Sequence, residues 1–113
     1  QLNGRFERLN NRRMESKDWS AWVAIKTLIE AVLRVQSTNN DEIKEYITSK
    51  KFNLDGSKGI SLSYKKKSNQ LRQTILLTTS DNWVTIKAPL DDFQNNNNRL
   101  DTLGISPKDI TCN

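Results

Sequence analysis

The 113-residue chain has no histidine, a single cysteine and no apolar run near the roughly eighteen residues that a membrane span requires. Lack of histidine removes the commonest general base and the commonest zinc ligand together. Cys112, one residue from the end, cannot form an internal disulfide, and a two-cysteine redox or zinc site is excluded within these residues. The thiol is either idle or paired with polypeptide outside this sequence. Other candidates for chemistry are weak. The adjacent carboxylates Asp41-Glu42 and Asp91-Asp92 suit helix starts or turns better than an acid/base pair. The DGSKG stretch at 55–59 lacks the spacing of a phosphate-binding loop and precedes a strand instead of opening a helix. Catalysis by these residues is not expected, nor is a metal or a cofactor.

What is present is moderate positive charge on a polar chain. Lysine and arginine outnumber the acids 18 to 13, for a formal charge of +5, while only 35% of residues are hydrophobic. The basic residues are spread as Arg12-Arg13, Lys50-Lys51 and Lys65 to Lys67, not gathered in one stripe. Charge of this size bears on solubility and on non-specific attraction to polyanions. No zinc-finger spacing or aromatic ribonucleoprotein motif accompanies it, so nucleic acid is not the expected partner. A small basic nucleic-acid-binding domain, using Arg12-Arg13 and the lysine triplet, stands as the alternative.

Periodicity orders the chain. The opening QLNGRFERLNNRR is a polar, helix-like stretch without an initiating methionine, so the natural start is expected to lie upstream. From Trp19 to Leu33 the apolar positions Trp19, Trp22, Val23, Ile25, Ile29, Val32 and Leu33 follow a 3.6-residue period and predict a helix over about 16–34 with a wide buried face. Ser16 is placed as its N-cap, Asp18 lies in the first turn and Arg34 near the end, where the helix dipole favours each sign. Lys26 and Glu30 are spaced for a surface pair worth about 0.3 kcal/mol. Thr38, Asp41 and Glu42 restart a helix over about 40–50, with Ile43, Tyr46 and Ile47 as its stripe and Lys50-Lys51 as its close.

After Phe52 the period falls to two. LDGSKG reads as a turn cluster, and strands are predicted over about 59–65, 70–79 and 83–88, forming a three-strand meander. Lys65 to Lys67 fall in KKKSNQ between the first two strands, where a solvated hairpin tip is expected. Trp19 and Trp22, three apart on one helix face, are read as core, although Trp19 at the helix start is placed to reach a cleft. Residues 91–113 carry four consecutive asparagines, Gly104 and Pro107, and predict an irregular tail packing through Phe93, Leu100, Leu103 and Ile105.

Three phrases carry a resemblance: DWSAWVAIKTLIEAV at 18–32, FNLDGSKGISLSYKKKSNQLRQTILLTT at 52–79 and LDTLG at 100–104. With their order of helix, helix and strands, they resemble the C-terminal third of periplasmic solute-binding proteins of the branched-chain amino acid receptor type. The later phrases look most like the branch found beside alcohol oxidation that depends on pyrroloquinoline quinone. That branch tends to carry an aromatic, proline-containing hairpin followed by QLRQP, where this chain has Lys65 to Lys67 and Thr74. The resemblance implies an α/β fold, the C-terminal fragment of a two-lobe periplasmic binding protein of type I, with residues 1–90 forming part of a ligand-binding lobe. It implies a periplasmic, non-catalytic, substrate-binding component of an ABC transporter. Its partners would be a small-molecule solute, an inner-membrane permease and the missing N-terminal part of the same protein, with a signal peptide upstream. Most ligand contacts would also lie upstream, leaving Lys17, Asp18 and Trp19 as the cleft-facing candidates here.

Overall fold

In the computed structural model, residues 1–81 and 84–90 are described, together with Leu100 and Leu103, and Thr85 by its backbone alone. The protein mixes helix and strand in the order α1 (Leu2–Asn10), α2 (Ser16–Val35), α3 (Asn40–Ile47), β1 (Leu54–Asp55), β2 (Ser61–Tyr64), β3 (Leu71–Arg72), β4 (Ile75–Thr78) and β5 (Val84–Ala88). It divides into two compact units, Gln1–Ile47 and Thr48–Asn113, so the stretch 1–90 read as one lobe portion spans both.

In the first unit, α1 ends at Asn11, whose left-handed backbone (φ 52°) returns its N–H to Glu7 O at 2.8 Å. The N-cap of α2 is Glu15, not Ser16, which is already helical. The reason is Asp18 at the third helical position: its carboxylate accepts the Glu15 backbone N–H at 2.9 Å, one arm of a capping box. Asn39, not Thr38, caps α3, its side-chain oxygen accepting the N–H groups of Asp41 (2.9 Å) and Glu42 (3.2 Å). That helix stops at Ile47, so Lys50-Lys51 lie beyond its last turn. Ser49 takes over there, accepting the Lys51 N–H on its hydroxyl and the Phe52 N–H on its carbonyl. Glu30 is held by Arg34 Nε at 2.8 Å, while Lys26 Nζ lies over the Trp22 ring, 4.8 Å from its centroid.

The wide buried face expected of α2 is only partly buried. Val23, Thr27 and Ala31, at spacing four, form its buried line, and α2 packs with α3. The bulkier residues of the opposite side are uncovered. Ile25 (59% exposed), Leu28 (50%), Ile29 (54%) and Leu33 (67%) face water. Trp19, Trp22 and Val32 are half-buried.

The second unit is built on Phe52, Leu54, Leu62 and Leu100, all buried, with the Phe52 and Tyr64 rings tilted at 5.8 Å. Leu54 belongs to β1, paired with Leu62 of β2, so the DGSKG turn connects two strands, not merely leading into one. Its shape follows from Asp55, whose carboxylate accepts the Ser57 N–H at 2.8 Å, and from positive φ at Ser57 (59°) and Gly59 (82°). The strands predicted as one three-strand meander fall instead into two sheets, β1-β2-β3 and β4-β5. LRQTILLTT is interrupted at Gln73-Thr74: β3 pairs with β2, whereas β4 pairs with β5, Ile75 opposite Ala88 and Leu77 opposite Ile86. At the interruption Lys58 Nζ donates to Gln73 Oε1 (2.8 Å) and Thr74 O (3.5 Å), drawing the β1–β2 turn over the break. Thr74 is buried, and its hydroxyl has no partner among the described residues.

The solvated lysine tip also needs correction. Lys66 and Lys67 are exposed in the turn that Lys65 N–H to Gln70 O (2.9 Å) and Asn69 N–H to Lys65 O (2.8 Å) close, but Lys65 itself is 2% exposed. Strand alternation ends at Tyr64, so the turn, not the pleat, sets the direction of Lys65. Its ammonium donates to Leu103 O at 3.0 Å, giving up water for a carbonyl thirty-eight residues away. Leu103 N–H turns back to Leu100 O, and Leu100 is buried. Of the residues expected to anchor the tail, these two are described; Phe93, Ile105 and the rest of 91–113 lie outside the described residues.

Replacing Lys65 by methionine preserves bulk but leaves the Leu103 carbonyl without this donor, a loss of about 1.5–3 kcal/mol for a charged hydrogen bond. Amide exchange around Leu100 and Leu103 is expected to accelerate in Lys65→Met and to stay unchanged in Lys66→Met; equal rates in both variants would contradict the contact.

Candidate functional site

The three cleft-facing candidates occupy consecutive positions in the first turn of α2. The five residues 11–15 bring the chain from the end of α1 to that turn, and Arg12 spans the bend. Its guanidinium makes two parallel bonds to Asp18, Nη1 to Oδ2 and Nη2 to Oδ1, each 2.7 Å. Nη1 also donates to Arg13 O at 3.1 Å, and the guanidinium carbon sits 4.9 Å from the centroid of the Phe6 ring on α1. A planar fork matched to a carboxylate is the arrangement only arginine offers, and stacking on an aromatic face suits the same plane.

Asp18 thus accepts three hydrogen bonds, two from Arg12 and one from the Glu15 backbone, with its side chain 15% exposed. The Arg12 bonds first, and the Glu15 N–H second, hold the Asp18 carboxyl well below its ordinary value of 3.8. The same bond raises the Arg12 guanidinium. Lys17 Nζ pairs with Glu15 at 2.9 Å, but both side chains are largely in water, where such pairs contribute little. Trp19 is half-buried, its backbone N–H bonded to Glu15 O at 3.1 Å. The geometry therefore separates the three candidates. Asp18 is engaged in holding the turn, while Lys17 and Trp19 retain the side-chain surface that a ligand could meet.

Arg12 carries the geometry here, yet in the sequence it reads as half of a basic pair. The available signal was the acid six residues on, at the third position of a predicted helix. Lys58 is a second cation with a structural setting: half-buried against Gln73 and Thr74, it is pushed below its ordinary value by burial. Among the described residues, no group of three histidine, cysteine or acidic side chains is placed to hold a metal, and no helix is long and apolar enough to cross a membrane. Cys112 lies outside the described residues.

Comparison with protein-family models, with curated proteins and with solved structures returns no match. The resemblance to solute-binding proteins therefore rests on the three quoted phrases alone.

Because Asp18 titrates below its unfolded value, the contribution of the Arg12–Asp18 contact is complete above pH 3.8 and is lost as pH falls through the lower folded value. In an acid titration followed by far-UV circular dichroism, the α2 signal is expected to persist past pH 3.8 and drop below it. Asp18→Asn should remove that step; a step of the same size and position in the variant would contradict this assignment.

Proposed function

We propose that the chain is part of a two-lobe, type I periplasmic solute-binding protein, which captures a small solute without catalysis and presents it to an inner-membrane ABC transporter permease. The observation that supports this reading is the distribution of uncovered apolar surface. In the first unit, Ile25, Leu28, Ile29 and Leu33 form an apolar helix face directed to water. In the second, consecutive residues Ile75, Leu76 and Leu77 of β4, together with Val84 and Ile86 of β5, are exposed. Consecutive residues of a strand point to opposite faces, so β4 is apolar on both sides. Strands of that kind belong to sheets covered by helices on both faces, and an apolar helix face is what covers such a sheet. A two-stranded ribbon with its large side chains in water is at best marginal by itself.

On this reading the missing N-terminal part of the same protein supplies the remaining strands, most of the ligand shell and the signal peptide. Affinity comes from closure of two lobes on the solute. The first turn of α2 contributes Lys17 and Trp19 at the edge of the cleft, with Asp18 serving to hold the turn. No cofactor or metal enters this mechanism.

The nucleic-acid alternative loses ground on two specific contacts. Arg12 is bonded to Asp18, and Lys65 is buried, so each of the two clusters that this alternative uses has one member committed elsewhere. Arg13, Lys66 and Lys67 are the exposed cations left in those two clusters, and Lys50-Lys51 stands apart from both in the sequence.

The intact mass of the native product tests the proposal. A protein of roughly three times this length, the size typical of two lobes of about 150 residues each, is expected. Its upstream sequence should show two-lobe α/β periodicity and a signal peptide. A native product of 13.0 kDa would overturn it.

A further inference from the structure

We infer that Arg12 is the positioning residue of the α2 first turn, coupling α1 to Asp18 and through Asp18 setting how Trp19 is presented. The helix α1 buries none of its residues, and Leu9 is 84% exposed, so apolar packing gives it little hold. Arg12 supplies a hold of another kind. One plane touches Phe6 of α1 at 4.9 Å, the Arg13 carbonyl at 3.1 Å and both oxygens of Asp18 at 2.7 Å. Asp18 in turn fixes the Glu15 N–H at 2.9 Å, and Glu15 O accepts the Trp19 N–H at 3.1 Å. This chain of contacts runs from Phe6 through the side chains of Arg12 and Asp18 and the Glu15 backbone to Trp19.

Bidentate geometry makes this coupling directional. A point charge at the same place would neutralise Asp18 but would not fix the plane of its carboxylate, and the Glu15 N–H reads that plane. The charged groups acting on Asp18 are Arg12, the strongest, and Lys17; Glu15 in turn acts on Arg12. Any significance of Trp19 for a ligand rests on the binding-protein reading above. The coupling itself is a property of the first unit and does not depend on it.

Occupation of Asp18 by Arg12 also bears on what the turn can recognise. With its charge compensated and its oxygens in use, Asp18 offers no anchor to the ammonium of an amino acid. What this edge presents is the exposed Lys17–Glu15 ion pair and the half-buried Trp19.

The test needs no ligand and is run on the intact native product, in which, on the reading above, the apolar faces of this chain are covered. The Asp18 carboxyl carbon and the Trp19 indole N–H are followed by nuclear magnetic resonance across an acid titration, the indole being assigned by its loss in Trp19→Phe. In Arg12→Gln the Asp18 midpoint is expected to rise by about 1–3 pH units, and the Trp19 indole resonance to shift with it. Arg12→Lys should restore part of the midpoint but not the indole position, and Arg13→Gln should leave both unchanged. Should Arg12→Gln fail to fold, Asp18→Asn breaks the same contact from the other side and is expected to move the Trp19 resonance at neutral pH. An Asp18 midpoint that rises while the indole stays fixed would overturn the coupling, as would an indole equally displaced by Arg13→Gln. Loss of solute binding in the complete protein with this result intact would instead count against the binding-protein reading alone.

Discussion

Uncovered apolar surface is the constraint on which the account turns. Ile25, Leu28, Ile29 and Leu33 are all at least half exposed on one helix. At roughly 1.5–3 kcal/mol for burying each such side chain in full, covering the exposed half of all four is worth about 3–6 kcal/mol. Natural domains are stable by only about 5–15 kcal/mol in total, so surface of this size is a large share of what a fold has to work with. The same holds for β4, which is apolar on both faces. Isolated apolar residues on a surface need no explanation, but a complete helix face and a two-sided strand do.

Much of the local structure was legible because it depends on near neighbours. The 3.6 period places α2 and the α3 stripe, the two-residue period places β2, and Asp55 with Gly59 marks a turn through its own short-range chemistry. What was not legible depends on contacts remote in sequence. The buried line of α2 is Val23, Thr27 and Ala31, so ranking positions by apolar character found Val23 but passed over Thr27 and Ala31 and included Ile25, Ile29 and Leu33, which stay exposed. LRQTILLTT satisfies a strand pattern throughout, and at its division, Gln73-Thr74, the contact comes from Lys58, fifteen residues upstream. The short β1 was hidden because Leu54 sits beside a strong turn signal.

The charged residues repeat that lesson. Arg12, Lys58 and Lys65 look in the sequence like members of basic clusters or polar loops, yet each is bonded to a specific acceptor: a carboxylate, a side-chain amide and a main-chain carbonyl. None of those acceptors could be assigned from spacing alone. The candidate site was legible to the extent of its location, the first turn of α2, because helix starts carry recognisable residues. The division of labour within it was not, since it follows from where Arg12 reaches across the bend.

Dye binding measured alongside thermal unfolding of the 113-residue chain tests the central claim most directly. If the α2 face and the β4–β5 ribbon are surfaces meant for cover, the isolated chain binds anilinonaphthalene sulfonate before heating and melts gradually, without a cooperative transition. A monomer that leaves the dye dark and unfolds in one sharp step would show that these surfaces need no further structure, and the account would fail.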